Sequence, residues 1–91
     1  MSESVFAYRY GFIGAGAMAE AIVSGMIQSG LCLASDIVMS NRSTEKLEHM
    51  KTMYGVATVI NNSLVMQQAE YIILAVKPQQ FSAVCESLQS M

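Results

Sequence analysis

Residues Arg9 to Gly30 read RYGFIGAGAMAEAIVSGMIQSG: an apolar run, then Gly-Ala-Gly-Ala-Met-Ala, then an amphipathic stretch. Few folds accommodate that succession. Glycine loses more conformational freedom on folding than any other residue, so two of them at a spacing of two mark a place where the backbone itself is needed. Val5 to Ile13 is predicted as a first strand running into Gly14. From about Ala17, the residues Ala19, Ile22, Val23, Met26 and Ile27 recur at the i, i+3, i+4, i+7, i+8 spacing of one helix face. Gly30 stands where a helix C-terminal glycine belongs.

The rest of the chain keeps the alternation. Asp36 to Met39 is predicted as a second short strand, ending at Ser40-Asn41-Arg42. Ser43 or Thr44 can cap a second helix that carries Leu47, Met50 and Tyr54 on one face and stops at Gly55. Val56 to Ile60 is a third strand, rich in β-branched residues, and Asn61 or Asn62 caps a short helix through Ala69. Tyr71 to Val76 is apolar without alternation, the mark of a strand buried on both faces. Phe81, Val84, Cys85 and Leu88 are spaced for a last amphipathic helix.

The order β-α-β-α-β-α-β-α predicts an α/β fold: the first half of a Rossmann-type doubly wound parallel sheet, strand order 3-2-1-4, with right-handed crossovers. Residues 1–91 then form one incomplete domain, the front of a longer protein or a shortened relative of one. In that order the fourth strand is an edge, and its open side invites pairing, including self-association.

Composition narrows the function classes. Apolar residues make up 53% of the chain and charged residues 13%, a balance suited to a covered α/β sheet and not to disorder. The net charge of −2, with no cluster of Lys and Arg, argues against nucleic acid. Cys32 and Cys85 belong to no CxxC, so reduced thiols are expected and no metal site. No basic segment precedes an apolar core at the N-terminus and no uncharged run is long enough to span a bilayer, so a cytoplasmic chain with no membrane partner is expected. The eight methionines are scattered and read as core filling. His49, between Glu48 and Lys51 on the second helix, is expected on its exposed face, and no nucleophile–histidine arrangement supports a catalytic residue.

Gly14-x-Gly16-x-x-Ala19 fits the dinucleotide-binding pattern in its G-x-G-x-x-A form, between a strand and a helix as that pattern requires. Gly14 makes the tight turn, Gly16 lets a pyrophosphate approach the backbone, and Ala19 lets the helix pack closely on the strand. The helix N-terminus aims its unpaired N–H groups and positive dipole end at the phosphates. NAD sites carry a carboxylate at the end of the second strand, to bind the ribose 2′-OH. Here Ser40 and Asn41 can hydrogen-bond a 2′-phosphate and Arg42 can pair with it, so NADP(H) is expected over NAD(H). The loop Ala75-Val76-Lys77-Pro78 lies beside the expected dinucleotide path, where Lys77 is read as a solvated or anion-contacting residue.

Four stretches together, GFIGAGAMAEAIVSGMIQSG, SNRSTEKLEHMKTMYGV, NN and YIILAVKPQQF, resemble the N-terminal domain of pyrroline-5-carboxylate reductase over nearly all of residues 8–90. AEAI and AVKPQ are the more specific parts, since nucleotide binding alone does not require them. The resemblance implies NAD(P)H-dependent reduction of a ring imine to proline. It also implies that Gly14, Ala15, Gly16, Ala17 and Met18 line the pyrophosphate, and that Ser40, Asn41 and Arg42 face the 2′-phosphate. Asn62 would lie near the adenosine, and Ala75, Val76, Lys77 and Pro78 along the nicotinamide half. Members of that family continue into a helical domain that forms the dimer and binds the imino acid. The resemblance therefore implies a cofactor-binding portion, inactive alone, whose substrate belongs to a full-length parent. Two alternatives stand beside it: a coenzyme F420-dependent NADP oxidoreductase, and a non-catalytic remnant serving as an interaction module.

Overall fold

The computed structural model describes residues 6–76 and 85–86. Strands β1 (Tyr8–Ile13), β2 (Ile37–Ser40), β3 (Ala57–Val59) and β4 (Ala69–Leu74) alternate with helices α1 (Ala17–Gln28), α2 (Thr44–Tyr54) and α3 (Asn62–Gln68). All strand pairs are parallel and the order is β3-β2-β1-β4, as the alternation predicts. This is the first half of a Rossmann-like sheet.

Because side chains alternate across a strand, consecutive apolar residues serve two cores. Phe12, Ile37 and Met39 pack with Ala19 and Val23 of α1 and with Leu47 and Met50 of α2. Ile13 and Val38 face the other way, onto Val65 of α3 and Ala69. Helices thus cover both faces of the central strands. Burial pushes the thiol of Cys32 up, beside the charge of Asp36, which keeps it in its unreactive protonated form. No helix among the described residues is long and apolar enough to cross a membrane.

The helix ends follow local chemistry. At the close of α1, Gly30 has φ +79°, its N–H donates to the Ile27 carbonyl, and the N–H of Leu31 donates to that of Met26. That bond pair is a Schellman motif. Ser43, not Thr44, caps α2, its Oγ accepting from the Lys46 N–H at 3.4 Å, and Gly55 closes the helix at φ +79°. Asn61, not Asn62, caps α3 through the Ser63 N–H at 2.8 Å.

Several boundaries depart from the sequence reading. β1 begins at Tyr8, because Phe6 and Ala7 form a bend, and Asp36 closes a 3₁₀ turn (Ala34–Asp36) in which its carboxylate accepts from the Leu33 N–H at 2.9 Å. β3 is shorter than Val56–Ile60, leaving Ile60 81% exposed. α3 stops at Gln68, and Ala69 already starts β4. The largest correction concerns β4, which is not buried on both faces. Ile72, Ile73 and Leu74 are half-buried and Tyr71 is 51% exposed, and among the described residues β4 pairs with β1 alone, at the edge of the sheet. Tyr71 instead stacks on Tyr10, its register partner, at a centroid distance of 5.9 Å. Of the predicted last helix, Cys85 and Glu86 are helical, while Phe81, Val84 and Leu88 lie outside the described residues.

Candidate functional site

The site lies at the carboxyl ends of β1, β2 and β4. β1 and β2 are in register at Ile13↔Ser40, so the chain leaves both strands at one level. The Gly14 N–H donates to the Ser40 carbonyl and the Ala75 N–H to the Ile13 carbonyl, each at 2.8 Å. These bonds tie three strand ends around the turn. Gly14 has φ +109°, and a Cβ on it would collide with the carbonyl oxygen of Ala75. Its glycine is required by the turn and by the close approach of the chain leaving β4.

Gly16 is different. It is the N-cap of α1 with φ −79° and ψ −166°, extended geometry open to any residue. A Cβ there would meet nothing nearer than the Lys46 Nζ at 3.9 Å. Neither conformation nor packing asks for glycine at this position. No side chain caps α1, so the N–H groups of its first turn receive no bond from a cap. Ala15 is buried, Ala17 and Met18 are exposed, and Ala19 is fully buried against the sheet.

The end of β2 divides its labour unexpectedly. Ser40 is 0% exposed and its hydroxyl donates to Asn62 Oδ1 at 2.6 Å. Asn41 accepts from the Ala15 N–H through Oδ1 and donates to the Ser43 carbonyl through Nδ2, both at 3.2 Å. Both side chains therefore tie the glycine turn, α2 and α3 together. Arg42 alone of the three is exposed. A second cation, Lys46 in the first turn of α2, stands opposite Gly16 and was not singled out from the sequence. Ala75 is buried, and Val76 comes within 3.2 Å of the position a Gly14 Cβ would take. Lys77 and Pro78 lie outside the described residues.

Between the turn and α2 is an open cleft of about 260 Å³, lined by Gly16, Ala17, Glu20, Glu45, Lys46 and His49 among others. Glu20 Oε2 accepts from His49 Nε2 at 3.0 Å and from the Tyr54 hydroxyl at 2.8 Å. His49 is thus on the exposed face, as its neighbours in sequence suggest, but partnered. The bonds from His49 and then Tyr54 hold the Glu20 carboxyl below the ordinary carboxylate range. The bond to Glu20 pushes the Tyr54 phenol up.

A carboxyl lowered by folding adds stability above its unfolded value, and that stability disappears as pH falls through the folded value. A raised phenol adds stability below its unfolded value and loses it as pH rises through the folded one. Chemical denaturation at stepped pH should therefore show stability declining on the acid side of the carboxylate range, less steeply for Glu20→Gln. Parallel curves for the two proteins would remove Glu20 from the acid limb.

A parallel sheet ordered 3-2-1-4, with an uncapped helix N-terminus beyond a two-glycine turn, is the architecture of a nucleotide-binding half-domain. The chain belongs to the family described as NADP oxidoreductase, coenzyme F420-dependent, which matches residues 9–91. That family is one of nicotinamide-dinucleotide-dependent oxidoreductases. Pyrroline-5-carboxylate reductase 1 of Bacillus subtilis is 36% identical over 80 residues, 87% of this chain and 27% of the relative. Pyrroline-5-carboxylate reductase 3 of Rattus norvegicus is 40% identical over 76 residues, 84% of this chain and 27% of the relative. The solved pyrroline-5-carboxylate reductase of Coxiella burnetii superposes with a TM-score of 0.82 at 39% identity, covering 92% of this chain and 31% of that one. The chain thus spans between a quarter and a third of these relatives.

Proposed function

We propose that the chain is the NADP(H)-binding portion of a pyrroline-5-carboxylate reductase, an enzyme that reduces 1-pyrroline-5-carboxylate to L-proline, and that it does not carry out the reduction alone. The observation that carries the reading is Gly16, a glycine that the fold itself does not use. Its bare Cα leaves the first-turn N–H groups of α1 open to an anion, and the helix dipole favours one there.

In this reading Gly14 shapes the cradle, and Ala15, Gly16, Ala17 and Met18 line the pyrophosphate. Arg42 pairs with the adenosine 2′-phosphate, and Lys46, opposite Gly16, is a second cation over the pyrophosphate. Ser40 and Asn41 hold the site together from behind, Asn62 lies near the adenosine, and Ala75, Val76, Lys77 and Pro78 flank the nicotinamide half. When bound, the dinucleotide supplies the hydride that reduces the imine carbon. The chain's own part is to bind and orient that cofactor. The family description favours a second reading, a coenzyme F420-dependent NADP oxidoreductase. Activity of a full-length parent with pyrroline-5-carboxylate or with reduced F420 separates the two.

Isothermal titration of the chain with NADPH and with NADH is expected to give saturable binding that favours NADPH. A folded chain that binds neither would overturn the reading. Arg42→Asp replaces a fork-shaped cation by a repelling carboxylate, so NADPH affinity should fall by about tenfold or more while NADH changes by less than about threefold. Equal losses would remove Arg42 from the 2′-phosphate.

A further inference from the structure

AEAI, at the start of α1, is a motif that binding a pyrophosphate leaves unexplained, because Glu20 is an acid beside an anion cradle. Its place in the structure gives it work of another kind. Glu20 reaches across to α2, accepting from His49 at 3.0 Å and from the Tyr54 hydroxyl at 2.8 Å, 29 and 34 residues further along the chain. His49 lies one turn, and Tyr54 two turns, beyond Lys46 on that helix. Lys46 is the cation that stands over Gly16, its Nζ 3.9 Å from where a Cβ would sit. One carboxylate oxygen therefore fixes α2 to α1 at two points on the C-terminal side of the lysine.

We infer that Glu20 is a positioning residue, which holds Lys46 over the phosphate cradle and so contributes to binding the pyrophosphate that both dinucleotides carry. The inference rests on the dinucleotide reading above. A lysine is a compact charge on a flexible stem, and its use at a fixed site depends on the backbone that carries it. The first turn of α2 has its own cap, Ser43, so the helix forms without Glu20. What the cap does not set is the distance between α2 and the cradle. Glu20 sets it from the α1 side, and Asn41 ties the Ala15 N–H to the Ser43 carbonyl from the β2 side. The other charged lining residue, Glu45, carries no bond to α1 and leaves the tether to Glu20.

A bond-based tether also says what a conservative variant should do. Glutamine can put its amide oxygen where Oε2 stands, accepting from the Tyr54 hydroxyl and from the Nε2–H tautomer of His49, so it preserves the bridge without the charge. Alanine removes the bridge.

The test is dissociation constants for NADPH and NADH, measured by titration on the unmodified chain and on Glu20→Ala, Glu20→Gln, Lys46→Ala and the Glu20→Ala/Lys46→Ala pair. Glu20→Ala should weaken both dinucleotides about tenfold, and Glu20→Gln should stay within about twofold of the unmodified chain. In the Glu20→Ala background, Lys46→Ala should cost less than about twofold further, because the lysine has already lost its place. A purely structural role would leave the Lys46→Ala effect undiminished when Glu20 is absent, and that result overturns the inference. So does a Gln variant that behaves as Ala does. Should Glu20→Ala not fold, Tyr54→Phe removes one of the two bonds while keeping the ring. Affinity for both dinucleotides reduced about threefold then supports the tether, and unchanged affinity overturns it. If the unmodified chain binds neither dinucleotide, the underlying reading falls and this inference with it. NADPH binding indifferent to Glu20 sinks the inference alone.

Discussion

Gly16→Ser is expected to leave the fold intact, or a few tenths of a kcal/mol more stable, while weakening NADPH binding by about a hundredfold. The two halves of that result have separate causes. Gly16 is the N-cap of α1 in extended geometry, and open space surrounds the position of its missing Cβ. Serine is a better N-cap than glycine, because its hydroxyl accepts from the N–H of the second or third helical residue. Those are the groups left without a side-chain cap here. The same hydroxyl would compete with a phosphate for the same donors, and its Cβ would stand where the phosphate must approach. Charge-assisted bonds of this kind are worth about 1.5–3 kcal/mol each, so losing one corresponds to roughly one to two decades in affinity. Thermal unfolding and NADPH titration on one preparation read both effects. A variant that binds as well as the original would deprive Gly16 of its role and the proposed function of its main support. A variant that binds less only because it unfolds would show that the fold does need the glycine.

That glycine was legible as a sequence pattern, but the reason for it was not. Gly14 and Gly16 look alike in G-x-G-x-x-A, and only the folded structure separates one that answers to the carbonyl of Ala75 from one that, among the described residues, meets nothing nearer than Lys46 Nζ at 3.9 Å. What depended on local chemistry was read well: strand order follows from strict alternation, and the caps at Ser43, Asn61, Gly30 and Gly55 from residues within a few positions of each helix end. What depended on distant partners was not. The sequence casts Ser40 and Asn41 as hydrogen-bonding partners of a 2′-phosphate, yet their direction is set by the register with β1, which places Ser40 against Gly14 and Asn62 and Asn41 against Ala15. Glu20 meets His49 and Tyr54 only because α1 and α2 share one face of the sheet. The apolar run of β4 suggests burial on both faces, while the fourth place in the order 3-2-1-4 makes it an edge; the structure keeps the edge and leaves the run half-buried.

Gly11→Ala is expected to destabilise the chain by about 2–3 kcal/mol, although it adds a single methyl group. Gly11 lies in β1, held on one side by Val38 of β2 and on the other by Ile72 of β4. A Cβ there would sit 2.5 Å from Val65 Cγ1, 2.6 Å from Ala69 Cβ and 3.3 Å from Ile72 Cδ1. β1 cannot retreat without breaking a ladder on each side, so the strain falls on Val65 of α3 and on Ala69 at the start of β4. Glycine inside a strand often marks such an approach of another element. For a domain of this length, total stability is on the order of 5–14 kcal/mol, and the loss is a large share of it. Val65→Ala removes the nearer of the two clashing atoms. Alone it should also destabilise, by about 1–2 kcal/mol, because Val65 is fully buried. Combined with Gly11→Ala it should cost less than the sum by at least about 0.5 kcal/mol, the sign of two residues competing for one space. Strict additivity in urea unfolding would mean that the helix yields without contacting the strand, and the account of Gly11 would be wrong. The consequence reaches the site as well. α3 begins at Asn62, whose side chain receives the Ser40 hydroxyl, so a helix pushed off the sheet at Val65 should loosen that bond one turn away. A glycine that the fold needs therefore stands behind the site, while the one the proposed ligand would need stands in front of it.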